Sequence, residues 1–255
     1  MDVLSVSAFL WLWLAGLLAG FVDAIAGGGG IISLPALLAT GMPPHLALGT
    51  NKLQGTCGSL TAALNYSRKG LVNLREIPMG VFFTALGALT GTVTVQVLSP
   101  DFLRNVILFL LVGVFLYTLF SPELGKLDRR PIMAAPVFFG CAGMTLGFYD
   151  GFFGPGTGSF WTIALVVLLG LNLKKATAQT KVFNFTSNIV ALAAFFAGGN
   201  VLVSAGLLMG AGQMLGAFVG SRLVIQKGTG FVRVFFLVVV AATVTKLVYS
   251  TYFAS

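Results

Sequence analysis

The chain has 255 residues, of which 57% are hydrophobic and only 9% are Asp, Glu, Lys or Arg, and its mean hydropathy is +0.97. Soluble domains carry about 25% charged residues, so a water-soluble enzyme is excluded, and the 23 Phe exclude a disordered chain. The net charge of +8 would suggest nucleic acid in a soluble protein, but in an apolar chain it reads as positive loops that orient helices.

The apolar residues run continuously and do not alternate as barrel strands would. The expected class is an all-α polytopic membrane protein. In chain order the apolar segments lie at roughly 7–25, 31–40, 45–67, 76–98 and 103–120, then 132–149, 158–170, 174–197, 202–224 and 231–250. The first follows Met1-Asp2 without a basic leader region or a small-residue cleavage site, so it reads as a retained membrane helix. The segments at 31–40 and 158–170 are shorter than the ~20 residues of a full span. Each follows a glycine-rich break, Ala26 to Gly30 or Phe153 to Gly158. Each reads as the return arm of a short, glycine-broken helical hairpin whose turn is buried in protein or lines an aqueous cavity.

The two halves are copies of one another. Gly20-Phe21-Val22-Asp23-Ala24-Ile25-Ala26-Gly27-Gly28-Gly29 recurs as Gly147-Phe148-Tyr149-Asp150-Gly151-Phe152-Phe153-Gly154-Pro155-Gly156. Beyond a small insertion, Gly41 matches Gly170, Lys52 matches Lys181, Leu86-Gly87-Ala88 matches Leu215-Gly216-Ala217, and Gly91 matches Gly220. This divides the chain into an N-terminal repeat, 1–125, and a C-terminal repeat, 126–255, within one membrane domain. Five segments per copy is odd, so the copies should have inverted topology. Loop charges agree: Arg68, Lys69 and Arg75 follow the third segment, whereas the equivalent loop at 197–201 has no charge. Conversely, the loop at 41–44 is uncharged and its equivalent carries Lys174 and Lys175. Lys126, Arg129 and Arg130 place the linker inside and both termini on the outer face. Inverted repeats with matched broken helices are the pattern of secondary transporters; a duplication that merely builds a packed bundle is the plainer alternative.

Lys52 and Lys181 lie ~10 Å into their segments at 1.5 Å per residue. A Lys at a helix centre costs ~2.5–3.5 kcal/mol to insert, so each needs a cavity, a counter-charge or an anionic ligand. Lys181, Asn184 and Asn188 fall on one helical face, with Ser187 beside them; Lys52, Thr56 and Ser59 fall likewise, flanked by Asn51 and Gln54. Two matched cations backed by amides and hydroxyls suit an oxyanion. Snorkelling lysines and interhelical asparagine contacts are the structural alternatives. Gln213 and Thr84, also matched, read as packing or lining residues. Asp23 and Asp150 precede the breaks, and two roles stand for them: a proton site, or a structural acceptor for glycine-turn N–H groups or for a Lys. Gly27, Gly28, Gly29, Gly154 and Gly156 supply backbone freedom and close approach. They make no phosphate loop, since no Gly-Lys-Ser/Thr follows. No metal site, cofactor motif or nucleophile arrangement is present, and the chain reads as a non-enzyme. Cys57 and Cys141 read as small packing residues, and His45 as a loop residue.

The Gly20–Gly30 stretch, Thr50-Asn51-Lys52-Leu53-Gln54, and Gly147–Gly156 resemble the sulfite exporter TauE/SafE family, above all its bacterial YfcA-like members, over nearly the whole chain. The resemblance implies a permease of the bacterial inner (cytoplasmic) membrane for sulfur-containing anions such as sulfite or an organosulfonate like sulfoacetate. Gly20, Asp23, Gly27 and Lys52 carry the family's glycine motif here. The second copy departs from it at Pro155 and at Thr180, where the first has Asn51. The expectation is a secondary carrier that exports a small oxyanion by alternating access. Its partners would be that anion and the bilayer, without nucleic acid, and a homo-oligomer is compatible with it. The alternatives are an anion channel, a carrier of another small organic anion and a non-transporting membrane scaffold.

Overall fold

A computed structural model describes residues 6–73, 77–120 and 130–227. Within these residues the first half forms α1 (Val6–Ala26), α2 (Gly30–Leu38), α3 (Pro44–Arg68), α4 (Pro78–Gln96) and α5 (Pro100–Phe120). The second forms α6 (Ala135–Phe152), α7 (Thr157–Val167), α8 (Leu173–Ala197) and α9 (Val203–Lys227). No strand occurs among the described residues. The nine helices coincide with the first nine apolar segments to within about three residues at most ends, the usual uncertainty of helix termini. The segment expected at 231–250, the charges of Arg75, Lys126 and Arg129, and both termini lie outside the described residues.

Local chemistry sets the boundaries. Prolines open α3, α4 and α6 within their first turn, where the missing N–H has no helical partner to lose. Asn172 caps α8 by accepting from Lys175 N–H at 3.0 Å. The equivalent helices α3 and α8 end alike, each in a Schellman motif whose glycine, Gly70 or Gly199, adopts positive φ of 68° or 70°. In α3, Leu71 N–H reaches Tyr66 O at 3.1 Å; in α8, Asn200 N–H reaches Phe195 O at 2.9 Å.

The most extensive contacts join α1 to α9 and α4 to α6, so each copy's first helix packs on the other copy's fourth. Glycines allow that closeness. A Cβ on Gly87 would sit 2.4 Å from Met144 O, and one on the matched Gly216 would sit 2.0 Å from Leu17 O. Helices α3 and α8 meet in the middle and run in opposite directions. Ala47 and Leu48 of α3 share an apolar cluster with Ala191 and Phe195 of α8, while Ala62 and Tyr66 share another with Ala176 and Ala178. The stretch between these two clusters is where both helices are polar.

Large apolar side chains cover the outside, among them Leu10, Leu14 and Leu18 of α1, Phe82 and Val93 of α4, and Leu207 and Val219 of α9. Water would penalise this coat, whereas lipid accepts it. Four described helices are long and apolar enough to cross a bilayer: Phe9–Ala26, Pro78–Gln96, Leu173–Ala197 and Val203–Gln226. Cys57 has the packing role expected of it, since a Cβ on Gly210 of α9 would lie 3.1 Å from its Sγ, whereas Cys141 is exposed.

Candidate functional site

The two glycine breaks touch. Gly27 adopts φ 78°, and a Cβ there would lie 2.4 Å from the backbone of Gly158. Ser159 Oγ donates to Ala26 O across the same contact at 2.7 Å. The crossing of the breaks sets the ends of α1 and α6 against the polar stretches of α3 and α8.

At this crossing each lysine pairs with the aspartate of the other copy. Lys52 Nζ lies 2.7 Å from Asp150 Oδ1, and Lys181 Nζ lies 3.2 Å from Asp23 Oδ2. Each ammonium also donates to the main-chain carbonyl of the same aspartate. Those carbonyls belong to the last turns of α6 and α1, where the helix dipole favours a cation. The lysines thereby remove the penalty that an aspartate at a helix C-terminus would otherwise incur. Both ammonium groups are out of solvent, with Lys52 at 1% and Lys181 at 0% exposure. Neither snorkels.

The remaining carboxylate oxygens are also held. Ser187 Oγ donates to Asp150 Oδ2, and Gly29 N–H reaches Asp23 Oδ1 at a long 3.4 Å. The site therefore contains two ion pairs, and Asp23 is bonded by both a Lys and a glycine-turn N–H.

A small polar cavity opens beside the pairs. Its wall comprises Lys52 and Asp150, the amides of Asn51, Gln54, Asn184, Asn188 and Gln213, Asp23, Thr157, and the glycines at 27, 30, 55, 154 and 158. Apart from these glycines, every lining residue is polar. Asn51 Oδ1 accepts from Ser33 Oγ at 2.6 Å and from Gln54 Nε2 at 2.7 Å, while Gln54 Nε2 also contacts Ser33 Oγ at 2.9 Å. This cluster fixes the wall on the α2–α3 side. The carbonyl oxygens of Gln54, Asn184 and Gln213 are buried with no donor.

The residues expected at the site thus separate into two groups. Lys52, Asn51, Gln54, Asn184, Asn188, Asp23, Asp150, Gly27 and Gly154 line the cavity. Lys181 and Ser187 lie behind it, holding the two aspartates, and Gly28, Gly29 and Gly156 shape the breaks without lining it. Thr56 and Ser59, placed beside Lys52 by helical spacing, instead donate to Lys52 O and Gly55 O of their own helix, at 2.7 Å and 2.6 Å. Gln213 of α9 is a wall residue, as is Thr157 at the start of α7. Ser33 went unnoticed in the sequence. Its signal was its match to Thr162, whose hydroxyl makes the equivalent contact with Thr180 at 3.2 Å. His45 contacts Val95 O through Nε2 at 3.1 Å, far along α3 from the cavity.

Fold and site together define a multi-pass helical membrane protein with a small, charged and wholly polar chamber among its helices. A model of the family described as Sulfite exporter TauE/SafE matches residues 12–247, and the chain belongs to that family. It is 46% identical over 238 residues to a "Probable membrane transporter protein" of Haemophilus influenzae, covering 93% of each chain. It is 44% identical over 241 residues to "Probable membrane transporter protein YfcA" of Escherichia coli K12, covering 94% of this chain and 90% of that one. A shorter stretch, 118 residues at 31% identity, matches "Sulfite exporter TauE/SafE family protein 5" of Arabidopsis thaliana, covering 46% of this chain and 26% of that protein. No solved structure matches.

Proposed function

We propose that this protein is a secondary carrier that exports a small oxyanion across the cytoplasmic membrane, with sulfite as the first candidate. The observation that carries the reading is the cavity wall: Lys52 supplies a point charge and five amides supply neutral hydrogen-bonding groups around it. An amide turned about its last bond presents either its oxygen or its N–H₂, so Asn184, Asn188 and Gln213 can adapt to an anion's oxygens. The lack of an apolar side chain in the wall favours a compact inorganic oxyanion over an organosulfonate, whose hydrocarbon part would find no apolar surface. The Arabidopsis relative, named as a sulfite exporter family protein, supports the same class.

In this reading residues 1–125 and 126–255 are inverted repeats, each with a glycine-broken hairpin, and both termini face outward. The opposed directions of α3 and α8 and the reciprocal packing of α1 on α9 and α6 on α4 support inversion. Rocking one repeat against the other about the crossed breaks would open the cavity alternately to either side. Flux into proteoliposomes across a panel of sulfite, thiosulfate, sulfoacetate and lactate is the test. Saturating uptake with counterflow for sulfite is the expected result; absence of flux for the whole panel refutes the proposal, and high single-channel conductance assigns a channel instead.

A further inference from the structure

The charge balance of the cavity points beyond the carrier reading on which this inference rests. Lys52 is the cation that an incoming anion would meet, yet it is already neutralised by Asp150 at 2.7 Å. The second pair is closed in the same way, Lys181 on Asp23. The four charges cancel, and a bound monoanion would leave one uncompensated negative charge in a buried, low-dielectric chamber. Amides alone do not offset that charge. Three amide oxygens of the wall, those of Gln54, Asn184 and Gln213, are buried without a donor.

We propose that the anion is carried together with one proton, and that Asp150 is the residue that takes it. The Asp150 carboxylate accepts a proton from water at the open face of the cavity and releases Lys52, whose ammonium then pairs with the anion. The loaded cavity holds Lys52, the anion and a neutral carboxylic acid, so its net charge is the same as when empty. The new O–H is a donor in a wall where three amide oxygens have none. Gly154 provides the room for this exchange, since a Cβ there would lie 2.7 Å from Lys52 Nζ and 3.0 Å from Asp150 Oδ1.

Geometry selects Asp150 over Asp23. Lys52 lines the cavity and Lys181 does not, so the pair that an anion can open is Lys52–Asp150. The groups facing Asp150 from the helices around it are few. Helix α3 contributes Lys52 and α8 contributes Ser187, whose hydroxyl donates to Oδ2. Helix α4 brings the uncharged Thr92, which donates to Gly151 O at 3.0 Å, and α7 brings Thr157 to the shared wall. The hydroxyl of Tyr149 on α6 itself is committed to Pro155 O at 2.8 Å. Across the cavity stands Asp23, held by Lys181.

The test is calorimetric binding of chlorate, a pyramidal monoanion that takes up no proton itself, alongside sulfite, to the purified full-length protein in weakly buffered detergent solution, with a pH dye to count the protons taken up with chlorate. One proton taken up per chlorate bound, and an affinity that falls about tenfold per pH unit on the alkaline side, are the expected results. Asp150→Asn, a neutral mimic of the protonated acid, should bind with an affinity independent of pH and take up no proton. Binding without proton uptake by the unaltered protein overturns the proposal while leaving the carrier reading intact, whether or not the variant folds. An affinity that follows sodium concentration instead of pH overturns it too. No binding of either anion overturns both readings.

Discussion

Removing Lys181 should destabilise the protein severely, and removing Asp23 along with it should restore much of the loss. Lys181 is completely buried and pairs with Asp23, whose side chain is only 14% exposed. In Lys181→Met the aspartate keeps its charge without a counter-ion, and breaking a buried pair in this way costs about 3–5 kcal/mol. That is a large part of a typical stability of about 5–15 kcal/mol. The partial exposure of Asp23 and its bond from Gly29 N–H place this site at the lower end of the range. The double variant Lys181→Met/Asp23→Asn removes the orphaned charge and keeps an amide oxygen for Gly29 N–H, so it should regain about 2 kcal/mol or more. The assay is thermal unfolding in detergent followed by loss of monodisperse protein, comparing both singles with the double. A chain of this size shifts by about 2–4 °C per kcal/mol, so a difference of several degrees should separate Lys181→Met from the double. If the double is no more stable than Lys181→Met, the pair does not couple and the structural role given to it is wrong.

Lys52→Ala should abolish measurable sulfite binding by calorimetry, since it deletes the only lysine of the cavity wall among the described residues; unchanged affinity would sink the site assignment. Gly27→Ala should cost at least about 1 kcal/mol from its positive φ alone. It should lose much more because the added Cβ would meet Gly158 at 2.4 Å; size-exclusion profiles and flux together report this, and a well-folded, fully active variant would contradict the crossing of the breaks. For topology, Lys69→Cys and Ala197→Cys in a background without Cys57 and Cys141 should react with an impermeant maleimide from opposite faces of the membrane. Labelling of both from one face would rule out inversion.

The crossed ion pairs explain how four ionisable side chains are tolerated among apolar helices. Each charge is met within hydrogen-bond distance, and each lysine also caps a helix end. This arrangement requires both copies, because neither repeat contains a complete pair. The second copy is not a replica of the first. Where Gln54 contributes to the polar cluster, the matched position holds Phe183, which stacks on Trp161 with ring centroids 4.3 Å apart. One half of the site is polar and the other aromatic, so a single asymmetric chamber forms instead of two equal ones.

Nine of the helices were legible in the sequence because membrane helices must satisfy their own backbone and must be apolar over a fixed length, so hydropathy and proline or glycine punctuation locate them. The recurrence of Lys52 at Lys181 and of Asp23 at Asp150 stands out in the sequence because such residues are expensive within apolar helices. Helical spacing also grouped Thr56 and Ser59 with Lys52, wrongly, since a hydroxyl in a helix can bond to the carbonyl one turn back and leave the site. What the sequence could not decide was partnership. Periodicity places residues on a face, but not which face of another helix it meets. Only the tertiary structure joins Lys52 to Asp150 and Lys181 to Asp23, separates the lysine that lines the cavity from the one behind it, brings Gln213 to the wall and sets Ser33 against the wall's Asn51 and Gln54. Those outcomes depend on contacts between residues far apart in the chain, made when the two copies cross. The low charge content determined by itself that the protein belongs in a membrane; the pairing of its few buried charges was settled by the fold.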